Sequence, residues 1–206
     1  MSKINLGVIG TSKVTQEHLR VINNLKEFRL YGITSRTNKN SDFILNKFKF
    51  KKKYESYIEM AKDKNINALL IIVSADQSYS VIKDIIKFKK PFFCEKPAGL
   101  TLKESRYLKN LSIKFKTLNM VGFNRRYYSV IKTGLDILKK NGGIRAINIE
   151  GHERYWLIKD IIKKKLGKNW ALANNIHMVD LLLFFGGTLK KYSIYSKSYD
   201  EKFKNY

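Results

Sequence analysis

Six consecutive apolar residues, Ala68-Leu69-Leu70-Ile71-Ile72-Val73, constrain this chain more than any other stretch. The run is rich in β-forming residues and shows no polar alternation. Strands of that kind are buried on both faces, as in parallel sheets covered by helices on either side. The flanking segments agree with this reading. Residues 4–10, 28–34 and 118–123 read as further strands, and so does Pro91-Phe92-Phe93-Cys94. Between them, Leu19, Val21, Ile22 and Leu25 read as helical, as do Phe43, Ile44, Leu45 and Phe48 behind a capping Ser41. Val81, Ile82, Ile85 and Ile86 repeat at the same spacing. Ser56-Tyr57-Ile58-Glu59 and Thr101-Leu102-Lys103-Glu104 are capping boxes that open two more helices. Strands alternating with helices predict an α/β fold, a doubly wound parallel sheet over residues 1–121.

The pattern changes beyond this point. Residues 127–140 read as a helix, and 144–150 alternate apolar and polar side chains. Residues 171–185 form a strongly apolar helix closed by Gly186-Gly187, and 190–197 alternate again. These features predict a second, partial α/β domain over 122–206 with a mainly antiparallel open sheet. Its last strand would be an exposed edge, which folded proteins usually cover or interrupt.

Composition narrows the functional classes. The formal charge of +24 invites a nucleic-acid reading. Lysine carries most of that excess, however, and it is scattered, with Lys51-Lys52-Lys53 and Lys163-Lys164-Lys165 as the triplets. A solvated basic surface is therefore preferred, and no nucleic-acid partner is expected. The single cysteine, Cys94, excludes an internal disulfide and reads as a buried thiol within its strand. Met1-Ser2-Lys3 leads directly into a strand, without a signal-peptide pattern. No apolar run is long enough to span a bilayer, so no membrane partner is expected and a cytoplasmic location is.

In open parallel sheets, ligands bind outside the carboxyl ends of the strands. Gly10-Thr11-Ser12-Lys13-Val14-Thr15 occupies the first such turn, where a Gly-x-Gly-x-x-Gly pattern would bring backbone amides to a pyrophosphate. Only Gly10 matches, since Ser12 and Thr15 replace the second and third glycines. At the end of the second strand, an acid would bind the ribose 2′-hydroxyl of NAD. This chain instead offers Ser35-Arg36 and no acid before Asp42. That pair suits a 2′-phosphate, so the expected cofactor is NADP or NAD, with NADP favoured. Glu95-Lys96-Pro97 follows another strand end, and the proline disfavours a helical conformation at Lys96.

Together these stretches resemble the Gfo/Idh/MocA family, the oxidoreductases named for glucose–fructose oxidoreductase and inositol dehydrogenase. The resemblance rests on Gly7-Val8-Ile9-Gly10 through His18 and on Cys94-Glu95-Lys96-Pro97 with Leu100-Thr101-Leu102. It continues in Val121-Gly122-Phe123-Asn124-Arg125-Arg126-Tyr127 and in His177-Met178-Val179-Asp180-Leu181-Leu182, which leads to Gly186-Gly187. It implies a Rossmann domain and hydride transfer between a nicotinamide and a carbinol or carbonyl carbon of a sugar, cyclitol or nucleotide sugar. It also implies roles. Lys96 would meet the reacting oxygen and hold the nicotinamide, Asn124 would lie beside the cofactor, and His177 would be the general acid/base. Asp180 would contact substrate hydroxyls. Ser74, Ala75, Asp76 and Tyr79 would line the nicotinamide side, with Tyr79 where a histidine is common. Arg154, Tyr155 and Trp156 would face the substrate, and Asn174 is a further substrate-binding candidate. Imidazole titrates near neutrality, and an ammonium beside a developing alkoxide stabilises charge where it forms.

One departure bears on the chemistry. The family often carries an aspartate four residues before the histidine, and that position here is Ala173. Asn174 cannot replace it in proton transfer, because an amide does not titrate. Family members also continue further, so the chain reads as truncated, and a homo-oligomer is expected only if the C-terminal sheet is complete. Three readings stay open. They are a sugar oxidoreductase, a cofactor-binding relative impaired in catalysis, and a basic nucleic-acid-binding protein suggested by charge alone.

Overall fold

The computed structural model describes residues 3–36, 38–152 and 171–195. The chain divides into two compact units, Met1–Gly122 and Phe123–Tyr206.

The first unit is built on six strands: β1 (Ile4–Ile9), β2 (Phe28–Thr34), β3 (Lys52–Lys53), β4 (Ala68–Ile71), β5 (Phe92–Cys94) and β6 (Asn119–Val121). All neighbours pair in parallel, in the order β3-β2-β1-β4-β5-β6. The order reverses between β1 and β4. Helices α1 (Lys13–Ile22), α2 (Asn38–Phe48), α3 (Tyr57–Lys62), α4 (Ala75–Ile85) and α5 (Leu102–Phe115) connect the strands.

The apolar run in β4 explains this layering. Successive side chains on a strand point to opposite faces. Leu70 and Ile72 join one cluster with Leu6, Val8, Leu19 of α1 and Ile44 of α2. Leu69 and Ile71 join the other, with Met60 of α3, Val81, Ile82 and Ile85 of α4 and Leu108 of α5. One strand thus anchors both cores. The edges are handled differently. β3 consists of two lysines paired with Gly32 and Ile33, and neither its brevity nor its polarity gives a strand signal in the sequence.

The expected caps form, with a shift in one partner. Ser56 and Thr101 accept from the amides of Glu59 and Glu104 at 3.1 Å each. The two glutamates reach back one residue before the cap, to the amides of Glu55 and Leu100. Ser41 does not cap a helix. α2 begins earlier, at Asn38, and Ser41 is buried within it.

In the second unit, a 3-10 turn, Asn124–Tyr127, precedes α6 (Ser129–Lys140), and extended backbone at Tyr128 separates them. A π-helical turn, Ala171–Asn175, leads into α7 (Ile176–Gly186), which ends at Gly187 with φ +74°. The antiparallel sheet expected here is not found among the described residues. Residues 144–150 and 190–195 are irregular. The first stretch and the residue after it approach α7, with Ile147 near Gly186 and Gly151 near Met178. An alternating pattern becomes a strand only when another edge takes up its amides and carbonyls, and no described segment offers one.

The two-faced core makes a direct prediction. Ile71 is 1% exposed, so Ile71→Ala should cost about 2–5 kcal/mol. Urea unfolding of the first unit, followed by far-UV circular dichroism, would measure it.

Candidate functional site

Where the strand order reverses, the carboxyl ends of β1, β2 and β4 enclose a cleft of about 400 Å³. Gly10, Thr11 and Ser12 line it from the first turn, Ser35 and Arg36 from the end of β2, and Ser74 from the turn after β4. Gly10 is required by two constraints together. Its φ is +110°, and a Cβ there would stand 2.0 Å from the Ile72 carbonyl oxygen. The chain leaves β1 pressed against the backbone of β4, which a side chain would prevent.

The two missing glycines are replaced by a cap. The Ser12 hydroxyl accepts from the Thr15 amide at 3.2 Å, and the Thr15 hydroxyl accepts from the Ser12 amide at 3.0 Å. Thr15 is fully buried at the helix–sheet contact. This arrangement uses the amides of Ser12 and Thr15 internally. The amides of Lys13 and Val14, in the first helical turn, have no intrahelical acceptor and suit an anion.

At the β2 end, the Ser35 hydroxyl lies 2.9 Å from that of Thr11, tying the two turns together. Arg36 is exposed along the cleft wall. Asp42 is turned away and pairs with Lys53 at 2.7 Å. The acid on this wall is Glu55, from the turn before α3, which sequence reasoning missed because it lies beyond the short β3. Of the four residues expected on the nicotinamide side, Ser74 lines the cleft, together with Gln77. Ala75, Asp76 and Tyr79 do not line it. Tyr79 instead packs edge-on against Tyr107 of α5, with ring centroids 6.2 Å apart.

Glu95, Lys96 and Pro97 leave the end of β5, with a cis Lys96–Pro97 bond. His18 Nε2 of α1 lies 2.8 Å from Glu95 Oε1, and Glu95 Oε2 accepts from the Lys96 amide at 3.2 Å. The His18–Glu95 pair is 77 residues apart in sequence, and no local signal could have found it. Burial pushes the Glu95 carboxyl up. The hydrogen bond and charge of His18, with the amide and ammonium of Lys96, pull it down and prevail, leaving it below the usual carboxylate range. The Cys94 thiol, wholly buried, is pushed up to about 12 by desolvation and then by Glu95.

In the second unit, His177 is 7% exposed and meets the Phe123 ring edge-on, centroids 6.3 Å apart. Asp180 is buried one turn further along α7. Arg126 donates from Nε to its Oδ2 at 2.7 Å and from Nη2 to its Oδ1. The guanidinium also lies over the rings of Phe123 and Phe184. The carboxylate hydrogen bond raises the Arg126 pKa above its ordinary value. Any contact of Asp180 with a substrate hydroxyl would have to use the lone pairs this fork leaves over. Asn124 is exposed in its 3-10 turn, and Asn174 is half-buried in the π turn. Arg154, Tyr155 and Trp156 lie outside the described residues.

Residues 4–123 match the model of the GFO_IDH_MocA family, described as an oxidoreductase family with an NAD-binding Rossmann fold. The chain belongs to the Gfo/Idh/MocA family. Among curated Gfo/Idh/MocA relatives, it is 27% identical over 124 residues to the myo-inositol 2-dehydrogenase of Thermotoga maritima, covering 60% of this chain and 37% of that protein. It is 25% identical over 187 residues to the inositol 2-dehydrogenase of Rhizobium meliloti, covering 89% of this chain and 55% of that protein. It therefore spans about half or less of the length of these relatives. Its fold resembles the crystal structure of a Lactobacillus plantarum myo-inositol 2-dehydrogenase, with a TM-score of 0.77 at 20% identity, over 89% of this chain and 56% of that one. A 3-ketoreductase of Actinomadura kijaniata in complex with NADP and TDP-benzene gives 0.74 at 17% identity, over 90% and 58%. Among the described residues, no helix is long and apolar enough to cross a membrane.

The depressed Glu95 carboxyl carries a sign. A group whose folded pKa is lowered contributes stability above its unfolded value and loses it as pH falls through the folded one. Acid denaturation of the first unit should accordingly show a limb below the ordinary carboxylate range that Glu95→Gln flattens, as read by circular dichroism against pH.

Proposed function

We propose that this chain binds a nicotinamide dinucleotide in the cleft at the strand-order reversal. We further propose that it takes part in hydride transfer to or from a sugar, cyclitol or nucleotide-sugar carbon. The observation that carries this reading is the cleft itself, walled by Gly10-Thr11-Ser12, Ser35-Arg36 and Ser74 in a chain of this family. Its volume lies within the range of small-molecule sites. The inositol dehydrogenases among the relatives support the substrate class, and the 3-ketoreductase among the similar structures was crystallised with NADP and TDP-benzene.

The roles follow from the chemistry of each group. The Lys13 and Val14 amides, at the positive end of α1, receive the pyrophosphate. Arg36 and Ser35 meet the adenosine ribose, and Arg36 supplies the cation that a 2′-phosphate needs, so NADP is favoured over NAD. Glu95, Pro97 and Asn124 complete the cofactor's surroundings, and Ala75, Asp76 and Tyr79, which stand outside the cleft lining, would reach the cofactor beyond it. The bound nicotinamide supplies or accepts the hydride. Lys96 stabilises charge on the reacting oxygen, and His177 gives or takes its proton. Arg154, Tyr155, Trp156, Asn174 and Asp180 remain the candidates for holding the substrate.

A second reading, cofactor binding without turnover, is favoured by Ala173. It stands four residues before His177 and brings no titrating group to it. Two measurements decide between them. NADPH should bind at least about tenfold more tightly than NADH by fluorescence titration, and Arg36→Ala should remove most of that difference. A clear NADH preference would defeat the NADP assignment. Against panels of sugars, inositols and nucleotide sugars, Lys96→Ala and His177→Ala should each lower kcat/KM by about a hundredfold or more. A measurable rate left unchanged by both would remove these residues from the chemistry.

A further inference from the structure

We propose that His18 is a positioning residue for Lys96 and acts through Glu95. The inference rests on the reading of Lys96 as the group that meets the reacting oxygen.

The geometry is that of a brace. α1 begins at the turn proposed to hold phosphate, and its His18 reaches β5, where the imidazole lies 5.5 Å from the Phe93 ring. The same imidazole lies 2.8 Å, through Nε2, from Glu95 Oε1. An ionised carboxylate only accepts, so Nε2 carries the proton. The second carboxylate oxygen accepts from the Lys96 amide at 3.2 Å. On the main-chain side, the Glu95 amide donates to the Ile71 carbonyl at 2.9 Å. The strand end is thus tied to β4 by its backbone and to α1 by its side chain, and Lys96 hangs from the junction.

Without the imidazole, Glu95 would keep the longer bond to its neighbour's amide and the attraction of the Lys96 ammonium. The His18 and Glu95 side chains are 29% and 21% exposed, so a released carboxylate could rotate into water and free the amide that sets the direction of Lys96. Besides His18, the Lys96 ammonium is the charge that acts on Glu95. Glu17 and Arg20 of α1 pair with each other at 2.6 Å, and the Cys94 thiol is buried. One helix would then serve both ends of the cofactor site, its first turn facing the phosphates and its second fixing the lysine.

The test uses the whole chain and needs no turnover. Lysines are labelled with a limiting amine reagent, and each labelling rate is read by peptide mapping, with Lys13 and Lys103 as internal references. His18→Ala should change the Lys96 rate by about three- to tenfold. His18→Gln keeps a donor and should restore the rate to within about twofold. Glu95→Ala removes both the brace and the carboxylate's own charge beside Lys96, so His18→Ala added to Glu95→Ala should change nothing further. An unaltered Lys96 rate in folded His18→Ala, or additive effects in the double variant, would overturn the proposal. If His18→Ala does not fold, Glu95→Gln provides the same test at nearly constant volume, and an unchanged Lys96 rate there overturns it equally. Fluorescence titration with NADPH and NADH is run in parallel. A wild-type chain that binds neither removes the cofactor reading, whereas the labelling pattern alone decides the brace.

Discussion

A strand buried on both faces forces the rest of the first unit. β4 and the residue after it send Leu70 and Ile72 to one side and Leu69 and Ile71 to the other, so neither face of the sheet can be left to water. The chain must lay helices on both sides, and it can do so only by winding outward from the centre in two directions. The place where the directions part is a gap between two connections that run away from each other. The cleft is a by-product of covering the core. Gly10 lies so close to Ile72 that the backbone itself forms the wall.

The large positive charge is spread rather than focused. Several lysines hold their ammonium groups over aromatic rings, with Lys47 over Phe43 and Phe48, Lys51 over Tyr31 and Lys52 over Tyr54. Such pairs satisfy the ring and leave the ammonium at the surface. Lys26, Arg29 and Lys49 gather with Lys47 near the carboxyl ends of α1 and α2. Cations are favoured at helix ends of that polarity. This accounts for a basic cluster without invoking a ligand.

Features set by local periodicity were legible from the sequence. The strands that bury both faces, the helix carrying Val81, Ile82, Ile85 and Ile86, and the caps at Ser56 and Thr101 all depend on neighbours in the chain. What failed depends on distant partners. The two lysines of β3 are a strand only because β2 offers them an edge, and residues 144–150 are not one because nothing described does. Ser41 looked like a cap because the helix signal before it is polar. In the cleft, the first turn and the Ser35-Arg36 wall were readable from strand ends alone. Glu55 and the His18–Glu95 pair come from tertiary folding, and the Arg126 fork on Asp180 joins two segments that show no mutual pattern. Even the lost glycines had a hidden logic, since Ser12 and Thr15 exchange hydrogen bonds where the usual residues would leave space.

Cys94 shows what burial does for the strand that ends in Glu95 and Lys96. A thiol pushed up to about 12 stays protonated, and a protonated thiol is a poor target for peroxides, electrophiles and disulfide exchange. Because it is also the chain's single cysteine, the first unit carries no exposed sulfhydryl that an oxidant could reach. The strand beneath the lysine therefore carries a thiol that stays out of redox chemistry.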